Sequence, residues 1–173
     1  MGIEASLGKD AMKGIENLKA TDVFNEIVQV GIVIENMDKA KAGMKRVFGL
    51  EPDVESDNMY KNTWYRGETI DAPVKAAFYN FFNVQLEFLQ PVGDTDTIWH
   101  DYLDEGFRKH GHALHHLRFD VENNDVATEV MKRAGVEKYM EGKSLVDPTA
   151  TFTYYDSVNQ LGFIVEAVTK PKA

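Results

Sequence analysis

Four polar side chains, each in an otherwise apolar, strand-like stretch, are the residues of this sequence best suited to chemistry. They are Gln29, Glu87, His116 and Glu166. Burying a carboxylate without a partner costs on the order of several kcal/mol, and two carboxylates brought together need a cation. One imidazole nitrogen and three oxygens, with positions left for water, suit an octahedral divalent ion. The set therefore predicts one Zn, Ni, Co, Mn or Fe ion per site.

The alternation of side chains along each strand predicts that these four residues face the same way. Successive residues of a strand point to opposite faces. In each stretch the apolar residues occupy the positions that would face a helix, as Val30 and Ile32 do. The polar residue then falls on the opposite face, which we expect to be concave.

Each residue alone also has an ordinary structural interpretation, and a second histidine cluster competes with the first. A single Glu in a strand usually lies on an exposed face, and a single His is usually hydrogen-bonded rather than metal-bound. The stretch KHGHALHH is dense in histidine. Neighbours on a strand face opposite ways, so His115 is not expected to share an ion with His116. His110 and His112 are assigned to a loop, and a role at the pocket mouth is the less favoured interpretation.

An internal repeat supplies the elements that would position these residues. The segment from Gln29 to Arg46 aligns without gaps with the segment from His116 to Arg133, and seven of eighteen positions are identical. Such similarity indicates duplication of one unit. In this alignment Gln29 corresponds to His116. When the last strands of the two units are aligned, Glu87 corresponds to Glu166.

Each copy is predicted to run strand, helix and three strands. A β-branched strand is followed by an Asn or Asp that can cap a helix, then by apolar residues at helical spacing and a terminating Gly. The predicted fold is α+β, with two paired βαβββ modules forming a cup-shaped mixed sheet around the metal and helices outside. The division is an N-terminal helical arm (1–25), a first module (26–92), a linker helix (93–112) and a second module (113–173). Pairing of modules within one chain or across a dimer is left open, and the arm favours a homodimer.

Composition narrows the functional classes. The formal net charge of −9 argues against a nucleic-acid backbone binder and against docking on an anionic membrane. The absence of cysteine excludes disulfides and thiolate chemistry and fits a reducing compartment. No apolar run approaches the roughly 20 residues of a membrane span. We expect a cytoplasmic protein.

Four motifs in a fixed order resemble a known family. QVGIVIENMDKA, LEFLQPV, HALHHLRFDVEN and LGFIVEAV are similar to stretches of the vicinal oxygen chelate superfamily, which includes glyoxalase I, methylmalonyl-CoA epimerase, bleomycin resistance proteins and extradiol dioxygenases. The resemblance runs from about residue 26 to residue 168 and is nearest to the glyoxalase–epimerase branch. It implies paired βαβββ modules around one metal.

The resemblance also implies the metal ligands. The family's positions fall on Gln29, two residues before Gly31, on Glu87 in LEFLQP, on His116 as the second His of the pair, and on Glu166 of the final strand. This set resembles that of glyoxalase I. The sequence around LEFLQPV and HALHHLRF is more similar to the epimerase branch.

The resemblance implies an enzyme that abstracts a proton next to a carbonyl while a metal stabilises the enolate as it forms. The expected activity is that of a metal-dependent isomerase, epimerase or lyase acting on a small molecule with adjacent oxygens or an acyl carbonyl. Glu166 is the favoured base and Glu87 the second choice. Arg118 would bind a substrate anion or pair with one of these carboxylates. Either Tyr154 or its neighbour would face the cup, and Tyr154 is taken as the substrate contact.

Two other functions are compatible with the same fold. The first is a non-catalytic protein that sequesters a drug, and the acidic net charge would favour a cationic drug. Such binders, however, commonly lose the metal donors that this chain retains. A ring-cleaving iron oxygenase usually needs two His and one carboxylate, and Gln29 argues against it. Residues that select the substrate are expected on loops, such as 52–59 and 138–147.

Overall fold

A computed structural model describes residues 14–103 and 113–169 of the chain. A short 3-10 helix lies at Ile15–Asn17. The α-helices are α1 (Ala20–Val23), α2 (Met37–Phe48), α3 (Ile98–Tyr102), α4 (Asn124–Arg133) and α5 (Val158–Leu161). The strands are β1 (Ile27–Val33), β2 (Val54–Tyr65), β3 (Glu68–Asn80), β4 (Gln85–Pro91), β5 (Ala113–Val121), β6 (Lys138–Lys143), β7 (Thr151–Tyr155) and β8 (Ile164–Thr169).

The eight strands close into one barrel in the order β1-β4-β3-β2-β6-β7-β8-β5. Strand pairs β1/β4 and β5/β8 are parallel, and the remaining pairs are antiparallel. The prediction of an α+β fold with a mixed sheet is confirmed. The strands before and after residue 100 meet at two seams, β1/β5 and β2/β6. Both halves of the barrel therefore come from the same chain.

The two longer helices follow the first strand of each half and begin at equivalent residues. Asn36 Oδ1 accepts a hydrogen bond from the Lys39 amide at the start of α2, and Asn123 Oδ1 accepts from the Asp125 and Val126 amides at the start of α4. Gly49, with φ of 70°, ends α2 in the left-handed conformation. Helix α2 packs on β3 and β4, and α4 packs on β7 and β8. The repeat in the sequence thus corresponds to a repeat of capped helices.

The described part of the predicted N-terminal arm lies against the second half of the barrel. Helix α1 packs on α4, and Arg133 donates a hydrogen bond to the Leu18 carbonyl. The Phe24 ring makes edge-to-face contacts with Phe119 and Tyr155. The arm is not one continuous helix here, because Lys19 is extended between the 3-10 helix and α1. Residues 1–13 lie outside the described residues.

The predicted linker helix is described in part. Helix α3 covers Ile98–Tyr102, and Ile98 and Trp99 are fully buried. Residues 104–112, which include the predicted loop histidines His110 and His112, lie outside the described residues.

The prediction that 52–59 and 138–147 are loops is wrong for most of both segments, and their role in selecting the substrate stays a prediction. Residues 54–59 belong to β2, and residues 138–143 form β6. The β2 sequence is polar and mostly exposed, so it lacks the apolar alternation that marks a strand. Its backbone forms a strand because it pairs with β3, from Val54 opposite Phe78 to Tyr60 opposite Ala72.

Three apolar clusters hold the fold together. The largest includes Val74, Leu89, Trp99, Phe152 and Tyr154. A second lies beneath α4 and a third beneath α2, each combining helix methionines with strand residues. Within the described residues, no helix is long and apolar enough to span a membrane.

Candidate functional site

The four predicted site residues lie on four strands that are neighbours in the barrel. Gln29 is on β1, Glu87 on β4, His116 on β5 and Glu166 on β8, and these strands run β4-β1-β5-β8 around the barrel. The strand register sets their positions along the barrel. Gly31 lies opposite both Glu87 and His116, and Arg118 lies opposite Glu166. Alternation within each strand then turns the four side chains inward.

The structure brings these four side chains together around one imidazole nitrogen. His116 Nε2 lies 3.1 Å from Gln29 Oε1, 3.3 Å from Glu87 Oε2 and 3.2 Å from Glu166 Oε2. None of the four residues is more than 5% exposed. Two carboxylates, an amide oxygen and an imidazole are therefore concentrated in a volume largely shielded from bulk water.

A glycine on β1 makes room for this histidine. A Cβ added at Gly31 would lie 2.0 Å from His116 Cε1 and 2.3 Å from Nδ1, well inside van der Waals contact. The β1 backbone therefore passes directly beneath the imidazole. Only a residue without a side chain lets the two strands approach this closely.

Burial and charge shift the proton equilibria of the site. Burial raises the pKa of Glu166 to about 7, and the positive charges of His116 and Arg118 oppose this rise. Burial by itself would lower the pKa of His116, but the charge of Glu166 and the contact with Glu87 outweigh it, so the net shift is upward. The site is suited to hold a proton between His116 and a carboxylate at neutral pH.

The donor set is chemically suited to a divalent metal ion. Adjacent ligand atoms of an octahedral ion with bonds of about 2.1 Å lie about 3.0 Å apart, close to the contacts around His116 Nε2. Glu166 Oε2 is buried and makes no hydrogen bond within the described residues. Counting only histidine and acidic residues, no group of three in the described part of the chain is placed to hold an ion as it stands. An ion here would also need the amide oxygen of Gln29, and the ligand assignment stays a prediction.

A second amide orients Gln29. Gln29 Nε2 donates to Gln85 Oε1, and Gln85 Nε2 donates to Asn80 Oδ1 at 2.8 Å. These two hydrogen bonds fix the nitrogen of the Gln29 amide group and leave its oxygen facing His116. Gln85 is not among the residues predicted from the sequence, although its position two residues before Glu87 on the same strand face was a usable signal.

A cavity of about 140 Å³ opens onto these residues. Its polar lining includes Gln29, Glu87, Arg118 and Glu166, and its aromatic lining is Tyr60, Phe78, Phe152 and Tyr154. An apolar cavity with a few convergent polar groups is typical of small-molecule sites. Tyr60 and Phe152 are not among the residues predicted from the sequence. Tyr60 lies in the polar β2 segment, and Phe152 lies on β7.

The two residues predicted to contact substrate both line this cavity. Arg118 Nε and an Nη atom donate to Asp120 Oδ1 at 3.1 and 2.9 Å. Within the described residues, its hydrogen bonds go to this neighbour on β5. The charges of Glu87 and Glu166, the partners expected in the alternative interpretation, act on the guanidinium without a hydrogen bond. The Tyr154 ring lies 5.3 Å from the His116 ring, between ring centroids. Tyr155 points the other way, and its hydroxyl contacts Thr128 on α4.

The expectation that His115 and His116 face opposite ways is wrong. The register of β5 against β1 shifts between Gly31 opposite His116 and Ile32 opposite Leu114, which leaves His115 as the extra residue of a β-bulge. The bulge breaks the alternation, so both imidazoles are fully buried and their Nδ1 atoms lie 2.9 Å apart. Burial, and then the charge of His116, hold the pKa of His115 well below its usual value.

The chain is similar to known proteins in sequence and in fold. The family sequence model of the glyoxalase/bleomycin resistance protein/dioxygenase superfamily matches residues 28–154. No curated protein matches the chain.

Solved structures share the fold at low sequence identity. A variant of methylmalonyl-CoA epimerase from Streptomyces coelicolor, in complex with 2-nitronate-propionyl-CoA, is 17% identical with a TM-score of 0.63, covering 87% of this chain and 97% of that one. The epimerase from Mycobacterium tuberculosis is 16% identical with a TM-score of 0.59, covering 87% and 91%. A hypothetical protein from Bacillus halodurans is 15% identical with a TM-score of 0.61, covering 86% and 96%. At these identities the likeness shows a common fold.

Proposed function

Because the chain belongs to the glyoxalase/bleomycin resistance protein/dioxygenase superfamily, we propose that it is a metal-dependent isomerase, epimerase or lyase that moves a proton next to a carbonyl. An epimerase acting on an acyl thioester is the form we favour. The observation that carries the proposal is the convergence of Gln29, Glu87 and Glu166 on His116 Nε2 inside a cavity.

Gln29, Glu87, His116 and Glu166 would hold one divalent ion. When bound, the ion would act as a Lewis acid toward the substrate oxygens. The residues themselves supply the rest. Gln85 orients the Gln29 amide oxygen, and the barrel wall shields both carboxylates from most of the bulk water.

Glu166 is the proposed base, with Glu87 as second choice. In the metal-free site, burial raises the pKa of Glu166 to about 7, so this carboxyl group can hold or release a proton near neutral pH, and a bound divalent ion would lower the pKa and favour the carboxylate form that acts as a base. Glu166 and Glu87 contact the same imidazole nitrogen, at 3.2 and 3.3 Å. An epimerase needs a proton removed from one side of a carbon and returned to the other, and a pair of carboxylates supports that exchange.

Arg118 and the aromatic wall would select the substrate. The guanidinium of Arg118 lines the cavity and keeps donors for a substrate carboxylate beyond those used on Asp120. Tyr60 and Tyr154 would contact the acyl end, since their rings line the same cavity. The complexes of the related epimerases with acyl-CoA ligands support a substrate with an acyl carbonyl.

Deuterium exchange at the substrate α-carbon tests the proposal. Purified protein loaded with Zn, Co, Ni or Mn is incubated in D₂O with methylmalonyl-CoA and with simple α-hydroxy and α-keto acids, and incorporation is followed by mass spectrometry. We expect one metal per chain and exchange that falls by about 100-fold or more in Glu166→Gln. Glu68→Gln, an exposed carboxylate at the start of β3, is the matched control.

Three outcomes would count against parts of this proposal. Full exchange by a metal-loaded Glu166→Gln variant would remove Glu166 as the base and direct attention to Glu87. Exchange that survives complete metal removal would contradict metal dependence. Tight ligand binding with neither metal nor exchange would favour the drug-sequestering alternative.

A further inference from the structure

His115 is a buried histidine beside the site to which the proposed function assigns no role. His115 is fully buried, and its Nδ1 lies 2.9 Å from His116 Nδ1. Edge-to-face contacts with Tyr102 and Tyr154, at centroid distances of 4.6 and 5.2 Å, fix its ring. Its Nε2 is buried without a hydrogen-bond partner in the described part of the chain.

The proton on His116 must be on one particular nitrogen if this histidine is to bind a metal. A ligating nitrogen offers its lone pair, so Nε2, which faces the oxygens of Gln29 and the two glutamates, must carry no proton. The proton of neutral His116 then lies on Nδ1. The hydrogen-bond partner that the structure gives this Nδ1 is His115 Nδ1.

We propose that His115 is a positioning residue that accepts the Nδ1–H hydrogen bond of His116 and so holds the His116 imidazole in the tautomer that binds metal. The hydrogen bond also fixes the ring plane over Gly31. Metal-bound histidines usually donate their second N–H to a carboxylate, a carbonyl or water. Here a neutral imidazole takes that role. This inference rests on the proposed function, because it requires His116 to bind a metal.

The bulge in β5 is the device that places His115. Regular alternation would turn this side chain to the outside of the barrel. The extra residue between the pairs Gly31–His116 and Ile32–Leu114 turns it inward instead. The arrangement has a cost, since a buried imidazole nitrogen is left without a partner. An apolar side chain at position 115 would fill the same space without this cost, so packing alone does not explain a histidine here.

Two variants of His115 separate acceptance of the hydrogen bond from packing. His115→Phe keeps a ring of similar shape and removes the acceptor. His115→Asn removes the ring and places an amide oxygen near the position of Nδ1. We expect Zn affinity, measured by competition calorimetry, to fall about 10- to 100-fold in His115→Phe and to recover most of the way in His115→Asn. His100→Phe, a histidine of α3 that contacts Thr97 and Gly93, should bind Zn as the wild type does.

Nitrogen NMR of the imidazoles gives a readout independent of activity. In the metal-free wild type, long-range ¹H–¹⁵N spectra should show a proton on His116 Nδ1, held there by His115. In metal-free His115→Phe, the His116 proton should move to Nε2, where the carboxylates accept it. Unfolding by urea should show that metal-free His115→Phe is at least as stable as the wild type, which a purely structural role for His115 would not allow.

Failure of this inference differs from failure of the proposed function. Equal Zn affinity in wild type and His115→Phe, with affinity lost in His116→Ala, would overturn the role of His115 and leave the metal site standing. Zn binding that is absent in wild type, or unchanged in His116→Ala, would overturn the metal assignment itself and this inference with it.

Discussion

At the scale of single residues, the proton balance of Glu166 makes the stability of the metal-free protein depend on pH. Burial raises the pKa of Glu166 from 4.5 to about 7, so the folded state holds a proton that the unfolded state releases. The free energy of unfolding therefore falls as pH rises from about 4.5 through 7. The upward shift of the His116 pKa acts in the same direction at the upper end of this range.

We predict that the wild type loses up to about 3 kcal/mol across this window relative to Glu166→Gln, which cannot release the proton. Urea unfolding at a series of pH values, with a chelator present, measures the difference. Added Zn should restore stability most strongly at the alkaline end, because the ion replaces the lost proton. Parallel pH profiles for the two proteins would show that Glu166 does not titrate in this way.

At the scale of elements, the contact between β1 and β5 depends on the absence of a side chain at Gly31. We predict that Gly31→Ala lowers the free energy of unfolding by about 1–3 kcal/mol, because the added Cβ overlaps the His116 ring. Metal affinity should fall in parallel as the imidazole is displaced. Calorimetry with Zn and chemical denaturation measure both effects.

A second glycine provides the control for this substitution. A Cβ at Gly43, within α2, would meet nothing within 4 Å. Gly43→Ala should therefore stabilise the protein by about 0.5–1 kcal/mol through higher helix propensity, with metal affinity unchanged. A Gly31→Ala protein as stable as Gly43→Ala would refute the close approach of the two strands.

The elements differ in how far the sequence predicts them. Alternation was sufficient to predict a common face for Gln29, Glu87, His116 and Glu166, because the β1–β5 pairing is regular from Gln29 opposite Arg118 to Gly31 opposite His116, between two register shifts. It failed at His115, because a bulge depends on the register against a partner strand and leaves no local sign. It failed again in β2, where polar residues form a strand through pairing with β3.

At the scale of the whole molecule, one short seam closes the barrel opposite the site. Strands β2 and β6 pair only at Trp64 with Glu141 and at Tyr65 with Met140 within the described residues. Asp101 Oδ2, from α3, reinforces this seam by accepting hydrogen bonds from Tyr65 Oη at 2.9 Å, from Arg66 at 2.7 Å and from Tyr139 Oη at 3.2 Å. Such closure arises from residues far apart in sequence, which explains why the sequence predicted a mixed sheet without predicting the barrel.

We predict that Asp101→Ala lowers the free energy of unfolding by about 1–3 kcal/mol, because it removes the shared acceptor of the buried Tyr65 and the half-buried Tyr139 hydroxyl groups. Amide hydrogen exchange should accelerate at the ends of β2 and β6 before other strands respond. The matched control is Asp57→Ala, which removes only an exposed ion pair to Lys75 and should cost less than about 1 kcal/mol. Uniform exchange across all strands in Asp101→Ala would contradict a local closing role.

The seam between β1 and β5 has an evolutionary consequence. Gln29 and Glu87 come from one half of the duplicated chain, and His116 and Glu166 come from the other. Neither half carries all four side chains, so a single-unit ancestor could have brought them together only by self-association. With both copies in one chain the paired positions can differ, as the amide at position 29 and the imidazole at position 116 do.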